Sequence, residues 1–509
     1  PGRPGYTSSN MKNRSKTQIW GLIVGIMLFL LTVVFFNPTP DNPLIGYMSA
    51  VVVLMAVWWV TEAIPLAITS LLPMILFPLF GINSPKTTAS AYMNSIIFLY
   101  IGGFLVALAM ERWNLHRRIA LNIIYRIGKN PARLIFGFMV AAAFLSMWIS
   151  NTATAVMMLP IGMAIIGKLE EEFEPENARK MGLTLLLGIA YGCSIGGVAT
   201  LVGTPTNLAF AKIYTEMFPD AEPISFGQWF IFGLPLSVIV LVVAWYMLVK
   251  WVARIPKSLN VNVSVVKTEL EALGRMTFEE KVVVIAGSLT ALLWIFRKDL
   301  TVGSFHLPGW SGISLWFQTV DDSTVAVFMA VLLFILPVKN KESKAKAILE
   351  TNAIRDLPWT AILLFGGGFA VAGGFASSGL TEYLAGQFDA FGTMPLWLTV
   401  FIACLGVTLV TEFVSNIATV QMFLPVLAAW AIAQNMHPLL IMIPATMVSS
   451  MAFMMPVATP PNAVIFGSGR VSVMDMVRFG WAIKIVSLII VVVLMLSMFS
   501  IIDITQVFD

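Results

Sequence analysis

The chain has 509 residues, 58% of them hydrophobic and only 11% charged, with a mean hydropathy of +0.86 and a net charge of +4. Soluble domains carry about 25% charged residues, so this composition excludes an ordinary soluble protein and places the chain among polytopic membrane proteins. The small positive balance sits beside apolar runs, where it sets topology and does not mark a nucleic-acid partner.

Pro1–Asn10 precedes Met11 and reads as an expression scar. The runs Gln18–Phe36, Trp229–Val252 and Gly480–Ile502 are each long enough to cross about 30 Å of hydrocarbon as helix. The first is too long for a cleaved signal peptide and lacks a convincing cleavage site. Lys and Arg cluster at Lys12–Lys16, in Arg112–Arg133, around Lys168–Lys180, in Lys250–Lys281, in Lys339–Arg355, and at Arg470 and Arg478. The loops between hold almost none. Basic loops stay cytoplasmic, and this alternation predicts eleven spans with the N-terminus inside and the C-terminus outside. Cys193 and Cys404 lie in apolar segments and read as inert packing.

The chain repeats itself. Ser150-Asn151-Thr152-Ala153-Thr154 returns as Ser415-Asn416-Ile417-Ala418-Thr419, an offset of 265 positions. At that offset Ile101-Gly102-Gly103-Phe104 falls on Gly366-Gly367-Gly368-Phe369, Leu115 on Leu380, Ser146 on Thr411, and Leu159-Pro160 on Leu424-Pro425. Downstream the offset slips to 255, so that Gly203-Thr204-Pro205-Thr206-Asn207 matches Ala458-Thr459-Pro460-Pro461-Asn462. Arg112–Arg133 is basic and cytoplasmic by the charge rule, whereas its counterpart Thr381–Gly392 has no Lys or Arg. The repeats are therefore expected to be inverted, a common transporter design with the site where the halves meet. Arg117–Arg126 suits a helix lying along the interface.

Leu134–Ile149 is apolar, Ser150-Asn151-Thr152 interrupts it, and Ala155–Ile166 resumes. The two pieces predict a re-entrant hairpin, since irregular backbone at bilayer depth is tolerated only in a cavity or buried in protein. Free N–H groups at the following half-helix favour an anion, and carbonyl and hydroxyl oxygens at the tip suit a hard cation. A single such motif also reads as interhelical glue; an aligned pair argues for a site. Thr204-Pro205 and Thr459-Pro460-Pro461 each break an apolar helix, where proline removes a donor and frees a carbonyl. Neither motif contains Lys, Arg or His, so an anion there needs countercharge from cations or helix ends. Glu62 and Glu412 stand out as intramembrane acids, read either as proton relays or as buried carboxylates bonded to helix ends. Gly162–Lys168 matches a phosphate loop but continues with Leu169 and follows no strand, so it carries nothing.

Together Trp58-Trp59-Val60-Thr61-Glu62-Ala63-Ile64-Pro65, Glu111–Arg118, both Ser-Asn motifs and the stretch Ser449–Asn462 resemble the divalent-anion:sodium symporter family, which includes dicarboxylate and citrate carriers. The resemblance covers nearly the whole chain from about Gln18; the family signature's final valine falls at Ile465. It implies a homodimer with a scaffold domain and a transport domain that moves as an elevator. It implies one sodium site at Ser146, Ser150, Asn151 and Gly203, and another at Thr411, Val414, Asn416 and Ala458, with backbone carbonyls at Gly203, Val414 and Ala458. Substrate carboxylates would meet Asn151, Thr152, Ser415, Asn416, Thr459 and the backbone near Thr204, Pro205 and Pro460. Ile417 departs from the family's threonine and removes one hydroxyl beside the anion.

The reading is an all-α polytopic membrane protein with about eleven transmembrane helices and two re-entrant hairpins in inverted repeats. Expected units are 1–10 (scar), 11–94 (scaffold), 95–228 (first repeat core), 229–358 (scaffold and loops), 359–479 (second repeat core) and 480–509 (last helix). The expected function is sodium-coupled uptake of C4-dicarboxylates such as succinate, malate or fumarate across a bacterial inner membrane, with Na+ as coupling ion and no other cofactor. Rivals on the same fold are a sodium-independent exchanger and a carrier of citrate or sulfate. An anion channel and a membrane enzyme are disfavoured by the paired helix breaks and by the lack of a catalytic constellation.

Overall fold

The computed structural model describes residues 14–501 apart from 129, 254–263, 303–304, 341–342, 344, 390–391 and 393. The expected scar at 1–10 lies outside the described residues, as do Lys12, Lys129, Arg254, Lys257, Lys341 and Lys344 of the basic clusters and the end of the last apolar run at 502. Apolar runs this long have no water to satisfy their backbone, so they close their hydrogen bonds within the segment as helices. Among the described residues the only sheet is a small ribbon, Leu300–Val302 paired antiparallel with Phe305–Leu307.

Nine helices among the described residues are long and apolar enough to cross a membrane. Two of them, Asn151–Glu172 and Asn416–Ala433, are hairpin arms. The others, with Leu66–Phe80, Phe278–Ile295, Asp322–Ile335 and the broken helix that begins at Leu439, account for the eleven expected spans. Local chemistry fixes their starts. Ser225 with Gln228 and Thr277 with Glu280 form capping boxes that satisfy otherwise orphaned first-turn N–H groups.

Each repeat has the same run of elements. The first begins with Ser95–Arg112 and the short helix Leu115–Ile127, then the hairpin Pro131–Ser146 and Asn151–Glu172. A broken helix, Pro175–Gly197 and Pro205–Met217, and the span Phe226–Met247 complete it. The second runs Trp359–Ser378, Leu380–Phe388, the hairpin Leu396–Val410 and Asn416–Ala433, the broken helix Leu439–Ser449 and Pro460–Phe466, and Val473–Ile501. The backbones agree closely. Ser150 has φ −49 and ψ 132, Ser415 φ −49 and ψ 131; Thr204 has φ −139 and ψ 141, Thr459 φ −138 and ψ 145. The second arm of each hairpin packs on the other repeat's second half-helix, Asn151–Glu172 on Pro460–Phe466 and Asn416–Ala433 on Pro205–Met217.

Three details differ from the sequence reading. The unit boundaries expected after 228 and 479 fall inside the unbroken helices Phe226–Met247 and Val473–Ile501. Glu62 is exposed and not a buried carboxylate: the helix ends at Thr61, Glu62 turns left-handed at φ 46, and its carbonyl accepts from Gln18 Nε2. The helix Leu115–Ile127 buries Leu115, Ala120, Leu121 and Ile124, as an interfacial helix should, but Arg118 is largely withdrawn from solvent while the Arg117 side chain stays 40% exposed. Arg117 pairs with Glu269 and Arg118 with Glu280.

Candidate functional site

Four helix N-termini meet at one place. The helices starting at Asn151, Pro205, Asn416 and Pro460 contribute their first residues to a single cavity of about 580 Å³. Asn151, Thr152, Thr204, Pro205, Ser415, Asn416, Ile417, Thr459 and Pro460, all expected to face substrate, line it together with Ser150, Gly203 and Ala458. Proline is tolerated at the first helical position because that N–H would have no partner anyway. The side chains of the caps Ser150, Thr204 and Ser415 accept no bond from a first-turn backbone N–H, so those N–H groups lack a side-chain cap beside the cavity. Only Thr459 bonds back, to the Asn462 N–H at 3.3 Å. No charged side chain lines the cavity. Helix ends or a bound cation must supply any attraction for an anion.

Oxygen atoms gather behind each tip. In the first repeat Ser146 Oγ donates to Asn151 Oδ1. A Cβ placed on Gly197 would lie 2.9 Å from that Oδ1 and 3.1 Å from the Gly203 carbonyl oxygen, so both oxygens face the small space this glycine leaves. The Asn207 amide ties the surrounding backbone down by donating to the carbonyls of Gly197 (3.2 Å), Val198 (3.4 Å) and Thr200 (2.7 Å). In the second repeat Thr411 Oγ1 lies 2.7 Å from Asn416 Oδ1 and 2.6 Å from the Ser449 carbonyl oxygen. One hydroxyl proton is shared between two acceptors there, and a cation among the three oxygens would relieve the repulsion. The Asn462 amide makes the matching brace, donating at 3.1 Å to the carbonyls of both Ala452 and Met455. Ser146, Thr411 and Val414 are buried behind the tips and do not line the cavity.

A profile described as the sodium:sulfate symporter transmembrane region matches residues 16–504. The chain belongs to this family. A sodium-dependent dicarboxylate transporter of Staphylococcus saprophyticus is 41% identical over 496 residues, covering 96% of this chain and 93% of the relative. The protein of the same description in Staphylococcus aureus is 42% identical over 509 residues, covering 98% and 95%. Two solved structures share the fold at low identity. The YdaH transporter of Alcanivorax borkumensis has a TM-score of 0.57 at 12% identity, covering 94% of this chain and 98% of that one. MtrF of Neisseria gonorrhoeae scores 0.54 at 11% identity, covering 96% and 95%. The chain is thus a multi-pass membrane protein of the sodium:sulfate symporter family.

In this symporter-family chain Glu412 is buried and does what a carboxylate near helix ends is expected to do. It accepts from the N–H groups of Phe453, Met454 and Met455 at 3.0, 3.1 and 3.2 Å. Its other partner, Lys484 at 2.5 Å, is absent from the sequence reading because Gly480–Ile502 reads as a plain apolar span. A lone lysine in the middle of such a run was the available signal. Tyr100, Trp148 and Pro358 also line the cavity but belong to no motif, whereas Phe104 closes the repeated Ile101-Gly102-Gly103-Phe104. Cys193 and Cys404 are buried free thiols.

Proposed function

We propose that this symporter-family chain carries C4-dicarboxylates, together with sodium, into a bacterial cell. The observation that carries the reading is the uncharged cavity where four helix N-termini converge over two oxygen clusters. Such a pocket repels a bare dianion less once cations fill the clusters. Sodium would bind at Ser146, Ser150, Asn151 and Gly203, and at Thr411, Val414, Asn416 and Ala458. The carboxylates would then meet Asn151, Thr152, Thr204 and Pro205 on one side and Ser415, Asn416, Thr459 and Pro460 on the other, with Ile417 as an apolar contact. The names of the relatives support sodium and dicarboxylate as the pair transported.

The transported unit would be the two hairpins and broken helices, sliding as an elevator past scaffold helices in a homodimer. Phe104, and Trp148 and Val202 of the proposed moving unit, give the cavity lining an apolar part where sliding would break few polar bonds. Pro358, beside the basic stretch Lys339–Arg355, lines the same cavity and supports a resting state open to the cytoplasm. The N-terminus would be cytoplasmic and the C-terminus periplasmic. If more cation charge than substrate charge moves, uptake gains about 2.3 kcal/mol per net charge per 100 mV. No residue is assigned a catalytic role.

Reconstitution in liposomes with labelled succinate tests this reading. Uptake is expected to follow an inward sodium gradient and to fail with potassium. Equal uptake without sodium defeats symport, and release of preloaded succinate by external succinate alone establishes exchange.

A further inference from the structure

The two repeats tie the same points of the chain together by opposite chemistry. In the first, Thr200 Oγ1 donates to the Met147 carbonyl at 2.6 Å, joining the broken-helix loop to the hairpin tip. The corresponding points in the second are Met455 and Glu412, and there the hairpin's carboxylate accepts from the loop's N–H. The span beyond follows suit. A Cβ on Gly233 would meet the Val198 and Ala199 carbonyl oxygens at 2.8 Å, and one on Gly480 would meet the Phe453 carbonyl oxygen at 2.4 Å. Val198 and Phe453 are repeat-related, so the two glycines mark the same approach of span to loop. Four residues on, one helical turn, stand Ser237 and Lys484. Ser237 donates to the Ile195 carbonyl at 2.9 Å; Lys484 donates to Glu412.

The first repeat shows that this corner closes without charge. The second nevertheless buries an ion pair, with side-chain exposure of 5% for Lys484 and 0% for Glu412. Glu412 adjoins Thr411, and its three backbone donors precede Ala458 in the loop Met451–Ala458. Tyr191 from the first broken helix also donates to the Phe453 carbonyl, at 3.1 Å. We propose that Lys484 is a positioning residue for the second cation site, acting through Glu412. The ammonium holds the carboxylate in place through their direct contact. The carboxylate gathers the N–H groups of residues 453–455, and this sets the distance between the Ala458 carbonyl and the Thr411–Asn416 pair. Without the ammonium, a buried carboxylate is left partly uncompensated and the loop it organises relaxes.

This inference rests on the sodium-symport reading, and its test separates the two. The wild-type full chain, K484R and K484M are reconstituted, and initial succinate uptake is measured against external sodium at saturating succinate. K484M is expected to raise half-saturating sodium at least five-fold while the rate at high sodium stays within two-fold of wild type. K484R is expected to stay within two-fold on both. An unchanged sodium curve in K484M overturns the proposal, and so does a loss of maximal rate at unchanged half-saturation. If K484M does not assemble, the uncharged pair E412Q/K484M is purified, and its thermal stabilisation by sodium chloride over potassium chloride is compared with wild type. An equal stabilisation overturns the proposal; a weakened one supports it. A wild type indifferent to sodium sinks the symport reading, and this proposal with it.

Discussion

The short helices Leu115–Ile127 and Leu380–Phe388 hold the same place in the two repeats and enter by the same corner. Asn114 turns left-handed at φ 56, and Gly379, its counterpart at the offset of 265, at φ 79. Beyond that corner they diverge. The first carries Arg117, Arg118 and Arg126 and is anchored by ion pairs. The second has no Lys or Arg and packs through apolar and aromatic contacts, such as Tyr383 against Phe36 with ring centroids 6.1 Å apart. Duplication preserved the backbone, whereas the side chains answer to the side of the membrane each helix faces under the topology proposed above.

If the repeats are functional equals at their tips, Asn151→Ala and Asn416→Ala should each reduce succinate uptake to background while leaving assembly intact. Each removes an amide oxygen that faces a hydroxyl in its cluster, Ser146 or Thr411. Near-normal transport by either variant breaks the equivalence and the site assignment together; size-exclusion profiles check that loss of uptake is not loss of protein.

The next largest effect separates the two short helices. Arg118 binds Glu280 through two bonds of 2.9 and 3.1 Å and reaches the carbonyls of Gly274 and Leu273, with side-chain exposures of 14% and 4% for the pair. Arg118→Ala leaves a buried carboxylate without its cation and should cost about 3 kcal/mol. Thr381→Val on the opposite helix changes a buried hydroxyl that has no hydrogen-bond partner, and should stay within about 0.5 kcal/mol. Unfolding in detergent is the measurement. Equal costs would mean that the ion pairs do not anchor the first helix.

Ile417→Thr makes the second tip's motif match the first. It adds a hydroxyl at a cavity-lining position facing the same space as Thr152. Competition by malate or citrate against labelled succinate should shift by several-fold, while stability changes by less than about 1 kcal/mol. An unchanged competition profile would show that the missing hydroxyl does not touch substrate.

Much of this was legible in the sequence because polar residues in hydrocarbon are costly. Ser150-Asn151 and Ser415-Asn416 stood out against apolar flanks, and a constant offset linked them. Thr204-Pro205 and Thr459-Pro460 were visible for the same reason, as helix breaks. What stayed hidden depends on packing across distant segments. Asn207 and Asn462 were visible as residues, but their role as braces appears only when the chain folds back to the carbonyls it left ten positions earlier. Lys484 finds Glu412 from 72 residues away, and no periodicity encodes that meeting. Trp148 and Tyr100, which line the cavity, are of the same residue types as exposed apolar side chains such as Trp20 and Tyr125.

The smallest effect concerns the loop that docks on the first repeat. Trp113 Nε1 donates to the Ile348 carbonyl at 3.0 Å, and Arg112 pairs with Glu350 at 2.8 Å. The Arg112 guanidinium first, and the Lys346 N–H second, hold the Glu350 carboxyl below the usual carboxylate range. A carboxyl whose folded pKa is depressed stabilises the fold fully above its unfolded value, near 4.3 for glutamate, and loses that contribution as pH falls through the folded value. Wild type should therefore exceed Glu350→Gln in melting temperature by a small margin that is constant well above the unfolded value, narrows as pH falls below it, and closes once pH has passed the folded value. A margin that persists in acid would assign the effect to packing of the Arg112 stem and not to the charge. The second repeat has Ser377 where the first has Arg112 and so offers no such pair, which makes this pH dependence a signature of one half of the molecule alone.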